Sequence, residues 1–209
     1  MIHESRPFDC GATVAAGLAG EPNPDSQANG ALMRINPLGI FDARHPLPQV
    51  ADWARQDAAL IHPHPVCQEA NALYIMAIAY AIATGADAQA LYASIVAWAR
   101  ELAVPPSLLA AIEGAAVAPP PAYIKQMGWL LIAWRNALWQ LLHASSLEEG
   151  VVDTVMRGGD TDTNAAICGA LLGVVYGLDA IPHQWTYRVL NCRPVAGQSW
   201  IRRLRPKHY

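Results

Sequence analysis

Charged side chains are scarce in this chain: they make up 15% of its 209 residues, whereas apolar residues make up 53%. Alanine dominates the apolar share. Such a balance favours tightly packed helices with small residues where they cross, and the length favours one domain. The formal net charge of −3 provides no general attraction for nucleic acid, so a nucleic-acid partner is not expected.

Cysteines are few and widely spaced. Cys10, Cys67, Cys168 and Cys192 form no C-x-x-C pair, which argues against both a disulfide framework and a zinc ribbon. A reducing compartment is the simplest interpretation. Residues 1–9 are polar and charged and do not resemble a signal peptide. We therefore expect a cytoplasmic protein.

Long uninterrupted apolar runs are also lacking. The run over residues 127–142 is broken by Arg135, Asn136 and Gln140. The run over residues 165–178 is shorter than the roughly 20 residues that a membrane-spanning helix needs. Both runs are therefore expected to be buried helices, with no membrane involved.

Strand-like alternation is nowhere sustained, whereas apolar residues recur at spacings of three and four along most of the chain. This spacing predicts helices over residues 49–60, 67–84, 88–101, 107–114, 129–144, 147–156 and 163–176. Prolines at 46 and 48, 105–106 and 119–121 punctuate them. An all-α single domain over residues 1–196 is expected, followed by a basic tail over residues 197–209. The tail could touch a phosphate backbone or an acidic partner, and a solvated chain end is the alternative.

One stretch concentrates oxygen ligands. Residues 158–164 read GGDTDTN and lead into an apolar run, which places two carboxylates, Asp160 and Asp162, one residue apart with the hydroxyl of Thr163 after them. Mg²⁺ prefers such oxygens at about 2.0–2.1 Å and leaves its other positions to water or substrate. The glycines permit a tight turn, and Asp162 is placed to cap the following helix. The pattern suggests a hard-cation site, and an ordinary capped turn is the alternative from the residues alone.

Two other segments also have two interpretations each. Residues 29–34 form a short polar loop with a glycine and an arginine, suited either to a diphosphate or to a plain entry into a helix. His62, His64 and Cys67 have the spacing of a zinc cluster. No fourth ligand is near, and the intervening prolines hold the backbone extended, so zinc is disfavoured.

Several of these segments share their order with motifs of one known family. Residues 29–34 read NGALMR with Pro-Leu-Gly at 37–39, residues 61–65 read IHPHP, residues 158–173 read GGDTDTNAAICGALLG, and residues 189–194 read VLNCRP. They resemble the N-G-A-x-M-R ligand loop, the T-H-x-H-P segment, the C-terminal metal motif and the C-terminal end of the ADP-ribosylglycohydrolases, of the dinitrogenase-reductase-activating type. Together the matches cover roughly residues 7–194.

The resemblance implies a compact helical bundle and an activity. The implied reaction is hydrolysis of the bond between ADP-ribose and a protein side chain, so that ADP-ribosylated protein or ADP-ribose is the implied partner. Mg²⁺ (or Mn²⁺) ions would hold the ribose hydroxyls and activate the attacking water. At the matching positions Asp160, Asp162 and Thr163 would bind the metal.

The resemblance also assigns roles outside the metal motif. The substrate-binding residues would be Asn29, Gly30, Ala31, Met33 and Arg34, with Asn29, Gly30 and Arg34 at the diphosphate, and His62 in the wall of the cleft. Asp9 matches the aspartate of the family's D-I-G segment and could orient or deprotonate a water. Taken alone, Asp9 is more typical of a helix cap, because residues 11–20 have helical spacing.

One part of the family pattern has no counterpart in this sequence. The Gly-rich opening G-D-A-x-G and the T-D-D motif, which supplies the other half of a two-metal site, are both missing. We therefore expect one of two proteins. One is an enzyme that uses substitute carboxylates, such as Glu4, Glu21 or Asp25, or those of another chain. The other is a truncated relative that binds ADP-ribose or blocks an ADP-ribosyltransferase. An apolar surface exposed where the missing helices would pack makes self-association a further expectation.

Overall fold

The computed structural model describes residues 10–192 of the chain. Within them the secondary structure is helical, apart from an isolated β-bridge between Ala28 and Trp129. The helices are α1 Ala12–Leu18, α2 Gly30–Phe41, α3 Leu47–Ile61, α4 Pro65–Thr84, α5 Ala88–Glu101, α6 Pro106–Gly114, α7 Leu130–His143, α8 Leu147–Met156, α9 Thr161–Tyr176 and α10 His183–Leu190. The expected all-α class is confirmed. Asp9 and the basic tail lie outside the described residues.

Side-chain caps explain why some predicted helix boundaries agree with the structure. The carboxylate of Asp87 accepts the backbone N–H of Ala90 at 2.8 Å, so α5 begins where the sequence predicts. The hydroxyl of Ser146 likewise accepts the N–H of Glu149 at 3.1 Å at the start of α8. Gly85 ends α4 in the left-handed region, with φ at 68°. These local signals are read directly from the sequence.

Helix α2 is not among the predicted helices, and it contains Pro37. A proline inside a helix cannot donate to the carbonyl four residues earlier, here that of Met33. The side chain of Asn36 compensates by donating its Nδ2 hydrogen to this carbonyl at 3.1 Å. The expectation of a loop over residues 29–34 is therefore wrong, since the helix already begins at Gly30.

Helix α4 is the centre of the core. It packs against α2, α3, α5, α6 and α9, and most of its residues are buried. By length and composition α4 resembles a membrane-spanning helix, but 72% of its most apolar stretch is buried against other helices. Burial of this kind is typical of the core helix of a folded domain. The four cysteines are free.

A contact between α4, α7 and α9 fixes the helix that carries the metal motif. The rings of Tyr74 in α4 and Trp134 in α7 meet edge to face, with centroids 5.3 Å apart, and both side chains are fully buried. The hydroxyl of Tyr74 donates to the carbonyl of Ile167 in α9 at 2.9 Å. Burial raises the pKa of Tyr74 well above its usual value, so the hydroxyl keeps its proton. The three helices are thus held together by one buried ring contact and one buried hydrogen bond.

Some large apolar side chains remain exposed. Ile40 and Phe41 at the end of α2, and Leu60 near the end of α3, each have more than half of their surface exposed. An exposed apolar surface is consistent with the expectation from the sequence. Self-association itself stays a prediction.

Candidate functional site

Four helices begin beside the short segment formed by residues 26–29. The carbonyl of Ser26 accepts the thiol of Cys67 at the start of α4, at 3.5 Å. The carbonyl of Gln27 accepts the N–H of Leu130, the first residue of α7, at 2.9 Å. Asn29 immediately precedes α2 and reaches α9 through its side chain. Because helix N-termini carry partial positive charge, this convergence favours negatively charged groups.

The side chain of Asn29 joins this segment to the metal motif. Its Nδ2 donates to Oδ2 of Asp160 at 2.8 Å and to Oδ1 of Asn164 at 3.2 Å. Its backbone N–H donates to the carbonyl of Gly128 at 2.9 Å. Asn29 is 5% exposed and Asn164 is 1% exposed, so this amide cluster is at the buried floor of the site. Residues 131 positions apart in sequence are thereby brought into direct contact.

Two consecutive glycines make the turn that delivers Asp160. Gly158 and Gly159 have φ values of 78° and 76°, a region that other L-residues rarely adopt. A Cβ on Gly159 would lie 2.2 Å from the carbonyl oxygen of Tyr123, whereas at Gly158 the nearest atom, in Ile124, would be 3.9 Å away. The backbone at Gly159 therefore lies directly against that of Tyr123.

This turn also changes the expected start of α9. The helix begins at Thr161, two residues before the predicted start, so Asp160 occupies the N-cap position without a side-chain cap bond. The prediction that Asp162 caps the helix is wrong, because Asp162 lies in its first turn. Both carboxylates nevertheless lie at the positive end of α9, where ionised acids are favoured.

Tyr123 is held in place by a buried chain of hydrogen bonds. Its hydroxyl donates to Oδ1 of Asn136 at 2.8 Å, and Nδ2 of Asn136 donates to the hydroxyl of Thr154 at 2.9 Å. That hydroxyl donates to the carbonyl of Gly150 at 2.8 Å. Burial raises the pKa of Tyr123 to about 12. The guanidinium of Arg157 lies 5.3 Å above the ring, which ties the loop before α7 to the loop before α9.

The two aspartates of the motif form a close pair. The hydrogen bond between the side chains of Asp162 and Asp160, together with the N–H that Thr163 donates at 2.9 Å, lowers the pKa of Asp162. Two carboxylates in such contact need a proton or a cation between them, since like charges repel. The carboxylate oxygens of this pair suit a hard cation that keeps several bound waters. Within residues 10–192, no three His, Cys, Asp or Glu side chains are grouped so that they could hold a metal.

His62 lies under the start of α2. It is fully buried, and neither ring nitrogen has a hydrogen-bond partner. A Cβ on Gly30 would be 3.7 Å from its Nε2, so the ring faces the helix N-terminus. Burial, and then the charge of Arg34, lower the pKa of His62 to about 4. The ring is therefore neutral near pH 7 and has unused hydrogen-bonding capacity.

The other residues of the predicted substrate-binding set are placed differently. Arg34 donates from Nη1 to a carboxylate oxygen of Asp57 at 3.0 Å and from Nη2 to the carbonyl of Asp57 at 2.8 Å, so its guanidinium is engaged with α3. Ala31 is fully buried, and Met33 is 41% exposed. A role for Arg34 at a diphosphate would require this ion pair to open.

A polar trio beside the site is not anticipated by the sequence. The indole N–H of Trp129 donates to Oε1 of Gln27 at 3.0 Å, and Nε2 of Gln27 lies 3.3 Å from Nε2 of His64. Nδ1 of His64 accepts the N–H of Val66 at 3.1 Å, which caps α4. The trio fixes the segment that positions Asn29. Asn164 is the last residue of the GGDTDTN motif and could be noticed in the sequence. No sequence pattern singles out Gln27.

Comparisons with known proteins show which family the chain resembles. The family model for ADP-ribosylglycohydrolase matches residues 2–207. The ADP-ribosylarginine hydrolase Tri1 of Pseudomonas putida (strain GB-1) is 26% identical over 83% of this chain and 45% of the relative. The ADP-ribosyl-[dinitrogen reductase] glycohydrolase of Rhodospirillum rubrum is 25% identical over 87% of this chain and 60% of the relative.

A solved structure has the same fold. It is described as an ADP-ribosylglycohydrolase-related protein complex and superimposes with a TM-score of 0.74 at 30% identity, over 85% of this chain and 62% of that chain. The match therefore extends over most of this chain. The chain spans about half to three-fifths of the length of the two relatives above.

Proposed function

Because the chain belongs to the ADP-ribosylglycohydrolase family, we propose that it hydrolyses the glycosidic bond between ADP-ribose and a protein side chain. The observation that carries the proposal is the contact of Asn29 with Asp160 and Asn164. It unites the two segments that resemble the ligand loop and the metal motif of the family. The relatives' names support an ADP-ribosylated protein as the substrate.

The diphosphate of ADP-ribose would be held where the helices begin. The partial positive charge at the N-terminus of α2 suits phosphate oxygens, and the partial charges of α4, α7 and α9 add to the attraction. His62 has ring nitrogens without partners beside Gly30, and because the side chain is fully buried, a ligand would hydrogen-bond it only if the start of α2 shifted. Gly30 leaves room for such a close approach because it has no side chain.

The carboxylate pair would hold a divalent cation. When bound, Mg²⁺ or Mn²⁺ would polarise the ribose hydroxyls and lower the pKa of a bound water. Asp160, Asp162 and Thr163 would be its ligands. Asn29 occupies one oxygen of Asp160 and so fixes the direction of the carboxylate. We assign Asp9 to orienting or deprotonating the attacking water.

A second candidate is a binding protein without turnover. It is favoured by the finding that the described residues 10–192 group only two carboxylates at the motif, with no third ligand of the His, Cys, Asp or Glu type. Such a protein would bind ADP-ribose, or block an ADP-ribosyltransferase, through the same helix N-termini. Loss of the carboxylates would then leave most of the affinity for its partner intact.

Release of free ADP-ribose from an arginine-ADP-ribosylated protein distinguishes the two. The hydrolase should release ADP-ribose with Mg²⁺ and stop with EDTA, and Asp160→Ala and Asp162→Ala should each abolish release. Glu101→Ala is the matched control, because this carboxylate is exposed at the end of α5. No release at high protein concentration, together with ADP-ribose binding by calorimetry that Asp160→Ala leaves intact, would support the binding protein instead.

A further inference from the structure

An apolar groove of about 360 Å³ lies between α8, α9 and α10. Its floor is made by the small residues Ala165, Ala166 and Gly169 of α9, and its walls include Val151 of α8 and Trp185 of α10. None of its lining residues belongs to the cluster of Asn29, Asp160 and Asn164. The groove is therefore separate from the candidate site, although α9 contributes to both.

The groove is open to an occupant. Helix α10, which forms one wall, has no buried residue. Three lining side chains remain largely exposed: Leu178 at 75%, Val189 at 74% and Leu190 at 50%. Contiguous exposed apolar surface of this kind is characteristic of a binding surface. A polar small molecule is a poor fit, because such ligands need several placed polar groups and Thr186 supplies the only hydroxyl in the lining.

We propose that the occupant is the basic tail of the same chain, with Trp200, Ile201 and Leu204 seated in the groove. These three apolar residues lie close together in a segment that is otherwise polar and basic. The described residues end at Cys192, two positions after Leu190, which lines the groove. The eight residues from there to Trp200 can span about 25 Å when extended, so the tail can reach the groove.

Charge complementarity supports the same occupant. Residues 10–192 carry fifteen acidic and eight basic side chains, whereas residues 193–209 carry five basic and no acidic ones. Two exposed acidic residues adjoin the groove in sequence: Glu148 follows the lining residue Leu147, and Asp179 follows Leu178. The arginines that flank Ile201 and Leu204 would face these carboxylates while the apolar side chains are buried.

Fluorine NMR of the full-length chain labelled with 5-fluorotryptophan tests the proposal without any substrate. The Trp200 signal, assigned by its loss in Trp200→Phe, should be shifted from that of the free amino acid. Gly169→Leu, which fills the floor of the groove, should move it toward the free value. Ala93→Leu, which adds the same bulk at an exposed position on α5, should leave it unchanged.

A second measurement changes the tail instead of the groove, so that it does not depend on correct folding of Gly169→Leu. Trp200→Ser lies in the tail and should shift the signal of Trp185, which lines the groove. The proposal would be overturned if the Trp200 signal of the unmodified chain had the chemical shift of the free amino acid. It would also be overturned if the Trp185 signal did not shift in Trp200→Ser. A Trp200 shift that disappears on dilution would also overturn it, because the occupant would then be the tail of a second copy.

Discussion

The glycine pair before Asp160 allows the site geometry to be tested with two nearly matched substitutions. Gly158→Ala and Gly159→Ala each place an L-residue at a φ near 77°. This left-handed conformation costs about 1–2 kcal/mol at either position. Only at Gly159 does the new Cβ also meet backbone, at 2.2 Å from the carbonyl oxygen of Tyr123. That oxygen cannot rotate away as a flexible side chain would.

The additional cost of this backbone clash should therefore appear in Gly159→Ala and not in Gly158→Ala. Tyr123 can move only by disturbing its buried hydrogen bond to Asn136. We expect Gly158→Ala to lower the free energy of unfolding by about 1–2 kcal/mol, and Gly159→Ala by about 3–5 kcal/mol. Urea denaturation followed by circular dichroism measures both values.

The proposed cation site supplies a second readout for the same pair. Gly159→Ala should weaken Mn²⁺ binding by calorimetry more than Gly158→Ala does, because only the former displaces the turn that carries Asp160. Equal losses of stability for the two variants, within about 0.5 kcal/mol, would refute the close approach on which this reasoning depends.

Three further predictions concern buried polar groups. The folded-state pKa of His62, about 4, lies below the unfolded value of about 6.5, so its contribution to stability is complete above pH 6.5 and is lost as the pH falls through 4. The loss is at most about 3 kcal/mol, and His62→Gln should flatten this part of the pH dependence of urea unfolding; an unchanged slope would contradict the assignment. Asn29→Ala leaves Asn164 without its donor and should cost about 1–3 kcal/mol of stability and weaken ADP-ribose binding by calorimetry, whereas intact binding would place the ligand elsewhere. Tyr123→Phe should cost about 1–3 kcal/mol by denaturation, because Asn136 loses a buried hydrogen-bond donor; a neutral effect would mean that water replaces the hydroxyl.

The sequence predicted helices well where capping and periodicity agree. The bounds of α5 and α8 match the prediction, because Asp87 and Ser146 cap them locally. It failed at α2, where Asn-Gly suggests a turn and Pro37 suggests a break. The helix continues because the side chain of Asn36 donates to the carbonyl that Pro37 cannot bond. Apolar periodicity gives no sign of such a side-chain hydrogen bond.

In the candidate site, too, features that are local in sequence could be predicted and tertiary contacts could not. Asp160 and Asp162 could be proposed from the motif because the ligand types lie close together in sequence. The contact of Asp160 with Asn29 depends instead on tertiary packing, and family resemblance alone suggested that the two segments meet. The contact between Gly159 and the carbonyl of Tyr123 involves backbone, so no side-chain pattern encodes its partner. Arg34 has the right chemistry for a phosphate, yet its guanidinium pairs with Asp57 in the fold.

The most direct test of the central claim is single-turnover release of ADP-ribose from an arginine-ADP-ribosylated protein, with this chain in excess. Release should require Mg²⁺ or Mn²⁺, be lost in Asp160→Ala and be retained in Glu101→Ala. Release that continues in EDTA and in Asp160→Ala would contradict the assignment of the carboxylate pair. No release under any of these conditions would contradict hydrolysis of this substrate.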